Sequence, residues 1–279
     1  MKWAEAPKSL QSPAYPEFGS SEPVCPHCGA GLKRFPARRS TCPKCKTPIE
    51  VAIRALDGAR VILRATDEGA LQQQQLITRL LRELDREERQ DYERIYERWS
   101  RERGKWPRNL EVLHQLRQQQ EQHATAAGRH GMATSYRFKR AEVLFEACRY
   151  EAAVMTAMEV CYLDLCGVQD SLAGKPAVFR PWKRVARKWV HPDPEYPQDP
   201  PVTIPDFPVP DGILVHIAEC AIQPPGLAPR LEEMARLAAS RLEVNAPGCI
   251  EPAAFAAELR AALAPHLSRA AQELDLEDD

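Results

Sequence analysis

Two pairs of cysteines near the N-terminus constrain the fold of this chain more than any other feature. They read CPHC over residues 25–28 and CPKC over residues 42–45, with thirteen residues between the pairs. Two residues between paired cysteines allow a tight turn that directs both sulfurs at one point, and four thiolates complete the tetrahedron that Zn²⁺ prefers. The sequence therefore predicts a zinc ribbon with one structural zinc ion, held by Cys25, Cys28, Cys42 and Cys45.

A redox motif and a disulfide pair are the alternative interpretations of these cysteines. A redox CxxC motif normally opens a helix within a βαβ unit, and no such pattern surrounds either pair. His27 is predicted to lie on the surface, because four thiolates already fill the coordination shell. The other five cysteines, scattered through apolar helical segments, are predicted to be buried and free: Cys148, Cys161, Cys166, Cys220 and Cys249.

Length and charge limit what the whole molecule can be. A chain of 279 residues suffices for one large domain or two modest ones, and a formal net charge of −1 argues against general binding of nucleic acid by the whole surface. No apolar run approaches the ~18 residues of a transmembrane helix, so no membrane contact is predicted. The N-terminal segment has no hydrophobic core region of the kind an export signal carries, and a cytoplasmic protein is expected.

The order of patterns along the chain predicts a mainly α-helical fold. Alternating apolar residues after the ribbon predict a short β-hairpin turning at Asp57-Gly58, and Thr66 is predicted to cap the first helix. The predicted divisions are a flexible leader (1–22), the ribbon with its β-hairpin (23–65), a helical domain (66–170), a Pro-rich connection (171–210) and a C-terminal helical region (211–279).

The middle of the chain predicts a helical hairpin between Thr134 and Gly167, with its turn near Tyr150. Small and large residues recur there at the positions of a tetratricopeptide-type hairpin: Ala141, Leu144, Tyr150, Ala153, Ala157 and Val160. About three such repeats are needed to bury the core of a solenoid. One tetratricopeptide-like hairpin within a larger helical domain is therefore predicted.

Two segments place apolar or aromatic residues among charges. Between Arg82 and Lys105, an apolar stripe at helical spacing predicts a helix with a solvated face, an exposed partner-binding helix being the alternative. In the Pro-rich connection, Trp182 and Trp189 lie seven residues apart among basic residues. They predict a short helix packed onto the helical body, and a strip that binds a nucleic-acid strand is the alternative.

Basic residues are concentrated in the ribbon itself. No acidic residue lies between Cys25 and Cys45. A compact hairpin stabilised by zinc and carrying six positive charges predicts contacts with the phosphates of DNA or RNA, and an aromatic ring among them could stack on a base. The alternative is a solvated ribbon that packs on protein. The predicted contact residues are Lys33, Arg34, Phe35, Arg38, Arg39, Lys44 and Lys46.

No contiguous catalytic motif accompanies the ribbon. The sequence contains no HExxH pair, GxSxG elbow, Walker A loop, GxGxxG turn or kinase signature. No catalytic or cofactor-binding residue is therefore predicted, and no small-molecule substrate is indicated. A hydrolase or nuclease whose site is assembled only in the fold remains an alternative.

The order of these elements resembles a set of uncharacterised zinc-ribbon proteins of bacterial phages and mobile elements. The similarity covers residues 24–170, from the cysteine pairs through the hairpin that begins at Ile49 to the helix ending in EVCYLDLCG at residues 159–167. It implies zinc binding and a bacterial or phage setting, and it implies no activity. We therefore expect a non-enzymatic protein that contacts nucleic acid through the ribbon and protein partners through the helical body. A pure protein-interaction scaffold is the first alternative.

Overall fold

The computed structural model contains two compact units, Met1–Val112 and Leu113–Asp279, whose boundary falls inside a helix. The division of the chain into segments at residues 22, 65, 170 and 210 stays a prediction. The residues that the structure describes are 18–54, 59–103, 108–169, 178–179, 181–185, 188–191, 202–204, 207–243 and 250–277.

The first unit begins with two small antiparallel hairpins. In the first, β1 (Ser40–Thr41) pairs with β2 (Pro48–Ile49), and in the second, β3 (Val51–Ile53) pairs with β4 (Arg60–Ile62). Alternation of apolar and polar residues buries Ile62 and Ile49 and leaves Ile53 exposed. The predicted β-hairpin is therefore present, while its Asp57-Gly58 turn lies outside the described residues.

Residues 18–20 pack against the second hairpin. Phe18 is buried, and Ser20 exchanges two backbone hydrogen bonds with Ile62, of 2.9 and 2.8 Å. Gly19 has a φ of 72°, and a Cβ there would lie 2.7 Å from the side chain of Val61. Only glycine fits this close approach without a shift of the strand. These residues belong to the segment expected to be a flexible leader, and here they extend the β-structure of the ribbon.

Three helices follow: α1 (Glu68–Arg82), α2 (Arg86–Arg103) and α3 (Asn109–Ala126), the last of which crosses into the second unit. A 3₁₀ turn over Ala65–Asp67 precedes α1, so the predicted cap at Thr66 lies within that turn. Asp85 and Glu88 form a capping box at the start of α2, each accepting a hydrogen bond from the backbone N–H of the other.

The apolar stripe of α2 is buried within an otherwise charged helix. Tyr92, Ile95 and Tyr96 are at most 4% exposed, and the hydroxyl of Tyr92 donates to the side-chain oxygen of Asn109 at the start of α3. Trp99 is half-buried beneath the guanidinium of Arg103, which lies 4.0 Å from the ring centroid. The stripe therefore belongs to the core of the first unit, as the spacing predicts, and is not a free partner-binding face.

The second unit is built around α5. Its helices are α4 (His130–Glu146), α5 (Tyr150–Leu165), α6 (Asp211–Ile222), α7 (Leu231–Glu243) and α8 (Pro252–Glu277). Helix α5 packs against α4, α6 and α7, and α8 covers α6 and α7. The predicted helical hairpin is α4–α5, whose turn lies just before Tyr150. Ala141, Ala153 and Ala157 are fully buried, which allows close helix approach. Its likeness to tetratricopeptide repeats stays a prediction.

The segment expected to be an irregular Pro-rich connection contains short strands. The described ones are β5 (Val168–Gln169) paired with β6 (Val178–Phe179), and a three-stranded antiparallel sheet in the order β7 (Lys183–Val185), β8 (Lys188–His191), β9 (Val202–Ile204). The prediction of a short helix carrying Trp182 and Trp189 is therefore wrong, since neighbouring prolines favour extended backbone. Trp189 lies in β8, buried edge-on against Phe207. It belongs to the core of the second unit.

The C-terminal helix extends beyond its predicted end. The sequence pattern ends it near Leu267 and predicts an acidic tail, whereas α8 passes Pro265 and continues to Glu277. No helix within the described ranges is both long and apolar enough to cross a membrane.

The cysteines outside the ribbon do not form one class. Cys161 and Cys220 are buried and free, as predicted. Cys148 is exposed, at a φ of 55° in the turn between α4 and α5, and Cys166 is disulfide-bonded. For these two the prediction of a buried free thiol is wrong. Cys249 lies outside the described residues.

Candidate metal centre and basic ribbon surface

The two CxxC segments fold into equivalent turns. In the first, the N–H of Gly29 donates to the carbonyl of Cys25 at 3.0 Å, and the N–H of Cys25 donates to the carbonyl of Ala30 at 2.9 Å. The second turn repeats both bonds at the equivalent positions around Cys42, each at 3.0 Å. The residue after each pair has a positive φ, 69° at Gly29 and 61° at Lys46. The same backbone geometry therefore directs both pairs of sulfurs.

The four sulfurs form a compact cluster. All four Sγ atoms lie within 4.8 Å of one another, and the Sγ–Sγ distance is 3.8 Å both for Cys25 with Cys45 and for Cys28 with Cys42. A tetrahedron with Zn–S bonds of about 2.3 Å has edges of about 3.8 Å. A disulfide would bring two sulfurs to about 2.05 Å. These residues therefore fit a four-thiolate metal site, and all four cysteines are free thiols.

Electrostatics also point to a cation among these sulfurs. Hydrogen bonds from the hydroxyl and N–H of Thr47 lower the pKa of Cys45 to about 6, and the N–H of Cys45 lowers the pKa of Cys42. The N–H of Ala30 favours ionisation of Cys28, but burial and hydrogen bonds with the other three cysteines raise its pKa to about 11. Four adjacent thiols therefore do not all ionise unaided, and a cation among the sulfurs would supply the positive charge that favours four thiolates.

Side chains around the cluster join the two turns. Ile49 and Ile62 are buried against the cysteines, and Leu32 and Phe35 pack there with partial exposure. His27 is exposed, as predicted, and its Nε2 donates to the carbonyl of Pro48 at 2.9 Å. His27 therefore connects the first turn to the β-hairpin and lies outside the sulfur cluster.

Six of the seven predicted phosphate-contact residues are exposed cations. Arg39 forms an ion pair with Glu50, with Nε 2.8 Å from the carboxylate. The other five have no ion pair anywhere in the described part of the chain. Phe35 differs, because it is half-buried against the cysteine cluster and so has only part of its ring free to stack on a base. The five cations without an acidic partner are Lys33, Arg34, Arg38, Lys44 and Lys46.

Sequence patterns missed the carboxylate that fixes the ribbon to α1. Asp67 is 6% exposed and accepts hydrogen bonds from the N–H groups of Gly19 and Arg64, at 3.0 and 2.9 Å, and from Nε of Arg64 at 3.3 Å. Burial alone would raise the pKa of Asp67, but these donors outweigh it and hold the pKa below its usual value. The sequence indicated only an acidic residue suited to the helix dipole.

A buried ion cluster in the second unit was also missed. Glu121 on α3 accepts contacts from Arg137 at 2.6 Å and Arg140 at 2.8 Å, and Arg137 also lies 3.6 Å from Glu159. All four side chains are less than 20% exposed. Two negative and two positive charges therefore join α3, α4 and α5. In the sequence these residues look like ordinary charges of solvated helices.

No protein-family model, curated protein or solved structure matches this chain. The resemblance to phage and mobile-element zinc-ribbon proteins accordingly stays a prediction.

Proposed function

We propose that the ribbon holds one structural zinc ion and binds the phosphates of a nucleic acid through its exposed basic side chains, while the helical body binds protein partners. The four thiolates fill a tetrahedral shell and leave no position for water or substrate, which is the arrangement of a structural site. Zinc follows from the soft donor set and the tetrahedral spacing of the sulfurs. The metal would stabilise the fold of the ribbon, and the folded ribbon would hold its basic side chains in position to contact phosphates.

The observation that carries this proposal is the set of five exposed cations without an acidic partner. Arg39 is the exception among the six, because Glu50 balances its charge. Five uncompensated charges on one small, rigid element supply the potential that attracts a polyanion.

The acids of α2 do not provide that compensation. Two of them pair with neighbouring arginines of the same helix, Asp91 with Arg94 at 2.9 Å and Glu102 with Arg98 at 3.9 Å. Ion pairs between the ribbon bases and these acids would have favoured a scaffold that contacts only protein. Their lack among the described side chains leaves the bases free for an outside partner.

Fluorescence anisotropy across a salt series tests the proposal, with short single- and double-stranded DNA and RNA as probes. We expect binding that weakens steeply with salt, since each phosphate contact releases counterions. Replacing both Arg34 and Arg38 by Gln should weaken binding and lower the salt slope on duplex DNA by about two.

The matched control is the double variant Arg86→Gln, Arg108→Gln, which removes the same charge from exposed positions outside the ribbon. It should bind like the wild type. Equal losses in both double variants would show that only net charge matters. No binding of any probe at low salt would contradict the nucleic-acid proposal, and the protein scaffold would take its place.

A further inference from the structure

A pocket of about 300 Å³ lies in the second unit, between the beginning of α4, the end of α5 and α6. Its volume is at the lower end of the range for small-molecule sites. Apolar side chains and two hydroxyls form most of its wall, with one carboxylate among them. Residues that line it include Thr134, Ser135, Phe138, Leu163, Asp164 and Ile213.

Asp164 is the one ionisable residue in the described lining of this pocket. Its carboxylate makes no hydrogen bond or ion pair with any described residue. Two arginines of α4 pair with other acids, Arg137 with Glu121 and Glu159 and Arg140 with Glu121. The hydroxyl of Thr134 is also occupied, because it donates to the carbonyl of His130 at 3.0 Å.

Asp164 is half-buried, and loss of water contacts without a partner is costly for a carboxylate. Desolvation raises the pKa of Asp164 to about 6, so that the group is still mostly ionised at neutral pH. A buried charge is normally paired or hydrogen-bonded. An unpaired carboxylate that lines a pocket is therefore suited to bind a positively charged ligand.

We infer that this pocket binds a small organic cation, an ammonium group carried on a compact apolar body, with Asp164 as its counter-charge. Such a ligand would pair the carboxylate and remove apolar surface from water against Leu163 and Ile213. The ring of Phe138 can add a cation–π contribution. An anion would be repelled by Asp164, and a neutral ligand would leave the half-buried charge without a partner.

Isothermal titration calorimetry with benzylamine and benzyl alcohol tests this inference on the full-length protein. The two probes match in shape and differ in charge. We expect benzylamine to bind at least about tenfold more tightly than benzyl alcohol, because only the amine pairs its charge with the carboxylate of Asp164. Asp164→Asn should abolish that preference.

Two variants separate charge from shape. Asp211→Asn removes an exposed carboxylate of the same type outside the pocket and should leave benzylamine binding unchanged. Ser135→Phe, at an exposed position on the pocket wall, should fill the cavity and abolish binding while Asp164 stays intact.

Three results would overturn the inference: no binding of benzylamine to the wild type, equal affinity for amine and alcohol, or undiminished binding to a folded Asp164→Asn variant. The ribbon is not involved, so these outcomes are independent of nucleic-acid binding.

Discussion

The ribbon and the second unit hold their shapes in different ways. The ribbon has a small apolar cluster, in which Ile49 and Ile62 lie against four cysteines. The second unit has a continuous core drawn from α4 to α8, in which no single side chain is central. A small fold that depends on one metal site unfolds when that site is lost. In a core made of many side chains, one substitution removes only the packing energy of its own position. A single substitution should therefore unfold the whole ribbon when it removes a cysteine, whereas one in the second unit should only lower its stability.

Removing one cysteine sulfur tests whether the ribbon depends on its metal site, and it should have the largest effect on folding. Cys42→Ser leaves three thiolates, and binding and folding are coupled in small zinc modules. We expect complete loss of metal and of the ribbon fold, with α4–α8 preserved. Elemental analysis would report the metal, and hydrogen-exchange mass spectrometry would report each region.

Cys148→Ser is the control, because it changes an exposed cysteine outside the cluster. It should keep its metal and its exchange pattern. If Cys42→Ser also exposed the amides of α5 and α6 to exchange, the contrast between the two regions would not hold.

Removing one charge from the buried ion cluster is the strongest single test of the second unit. Glu121→Gln leaves Arg137 and Arg140 without their main partner in a mostly buried setting. Breaking a buried pair in this way costs about 3–5 kcal/mol. We expect a corresponding loss in the free energy of unfolding, measured by urea denaturation.

Glu232→Gln provides the comparison for that loss. Glu232 pairs with Arg260 at 2.7 Å, but both side chains are more than half exposed, and such pairs contribute about 0–1 kcal/mol. Similar losses for the two variants would show that burial does not strengthen the contribution of the ion pairs around Glu121.

The sequence predicted the parts of the molecule that depend on local spacing. The cysteine pairs required only two intervening residues, and the α4–α5 hairpin required only helical periodicity. The contact of Asp67 with Gly19, the ion pairs of Glu121 and the pocket around Asp164 could not be predicted, because each depends on residues brought together from distant segments. Asp164 left one faint signal, since it and Glu159 are the two acids within the apolar run of α5.

Asp67 and Asp164 show how partners decide the pH dependence of stability. The lowered pKa of Asp67 stabilises the native state above the unfolded pKa of about 3.9, and this contribution is lost as the pH falls through the native value. The raised pKa of Asp164 has the opposite sign. As the pH rises, Asp164 loses its proton at a higher pH in the native state than in the unfolded chain. The free energy of unfolding therefore falls between about pH 4 and pH 6 and stays lower above pH 6.

Replacing Asp164 tests that sign and should have an intermediate effect. A difference of about two pKa units corresponds to about 3 kcal/mol. Asp164→Asn should therefore increase stability by up to about 2–3 kcal/mol at neutral pH and change it little near pH 4, measured by urea unfolding at both values. A variant that is less stable than the wild type at neutral pH would mean that Asp164 has a structural partner.

The smallest expected effect separates the two otherwise equivalent ribbon turns. Lys46 occupies the left-handed conformation that Gly29 occupies in the first turn. This conformation destabilises a non-glycine residue by roughly 1 kcal/mol. Glycine removes that strain, but it also makes the unfolded chain more flexible, which offsets part of the stabilisation. Lys46→Gly should therefore stabilise the metal-bound protein by up to about 1 kcal/mol in thermal unfolding.

Lys44→Gly is the matched variant, because it removes the same charge two residues away at a position without positive φ. It should be neutral or destabilising, and equal stability of the two variants would show that Lys46 is not strained. Lys46 is also one of the five uncompensated cations of the ribbon. If Lys46→Gly gains stability but loses affinity for nucleic acid, the strained position carries a binding charge. If affinity is unchanged, the phosphate contacts come from the other four cations, Lys33, Arg34, Arg38 and Lys44.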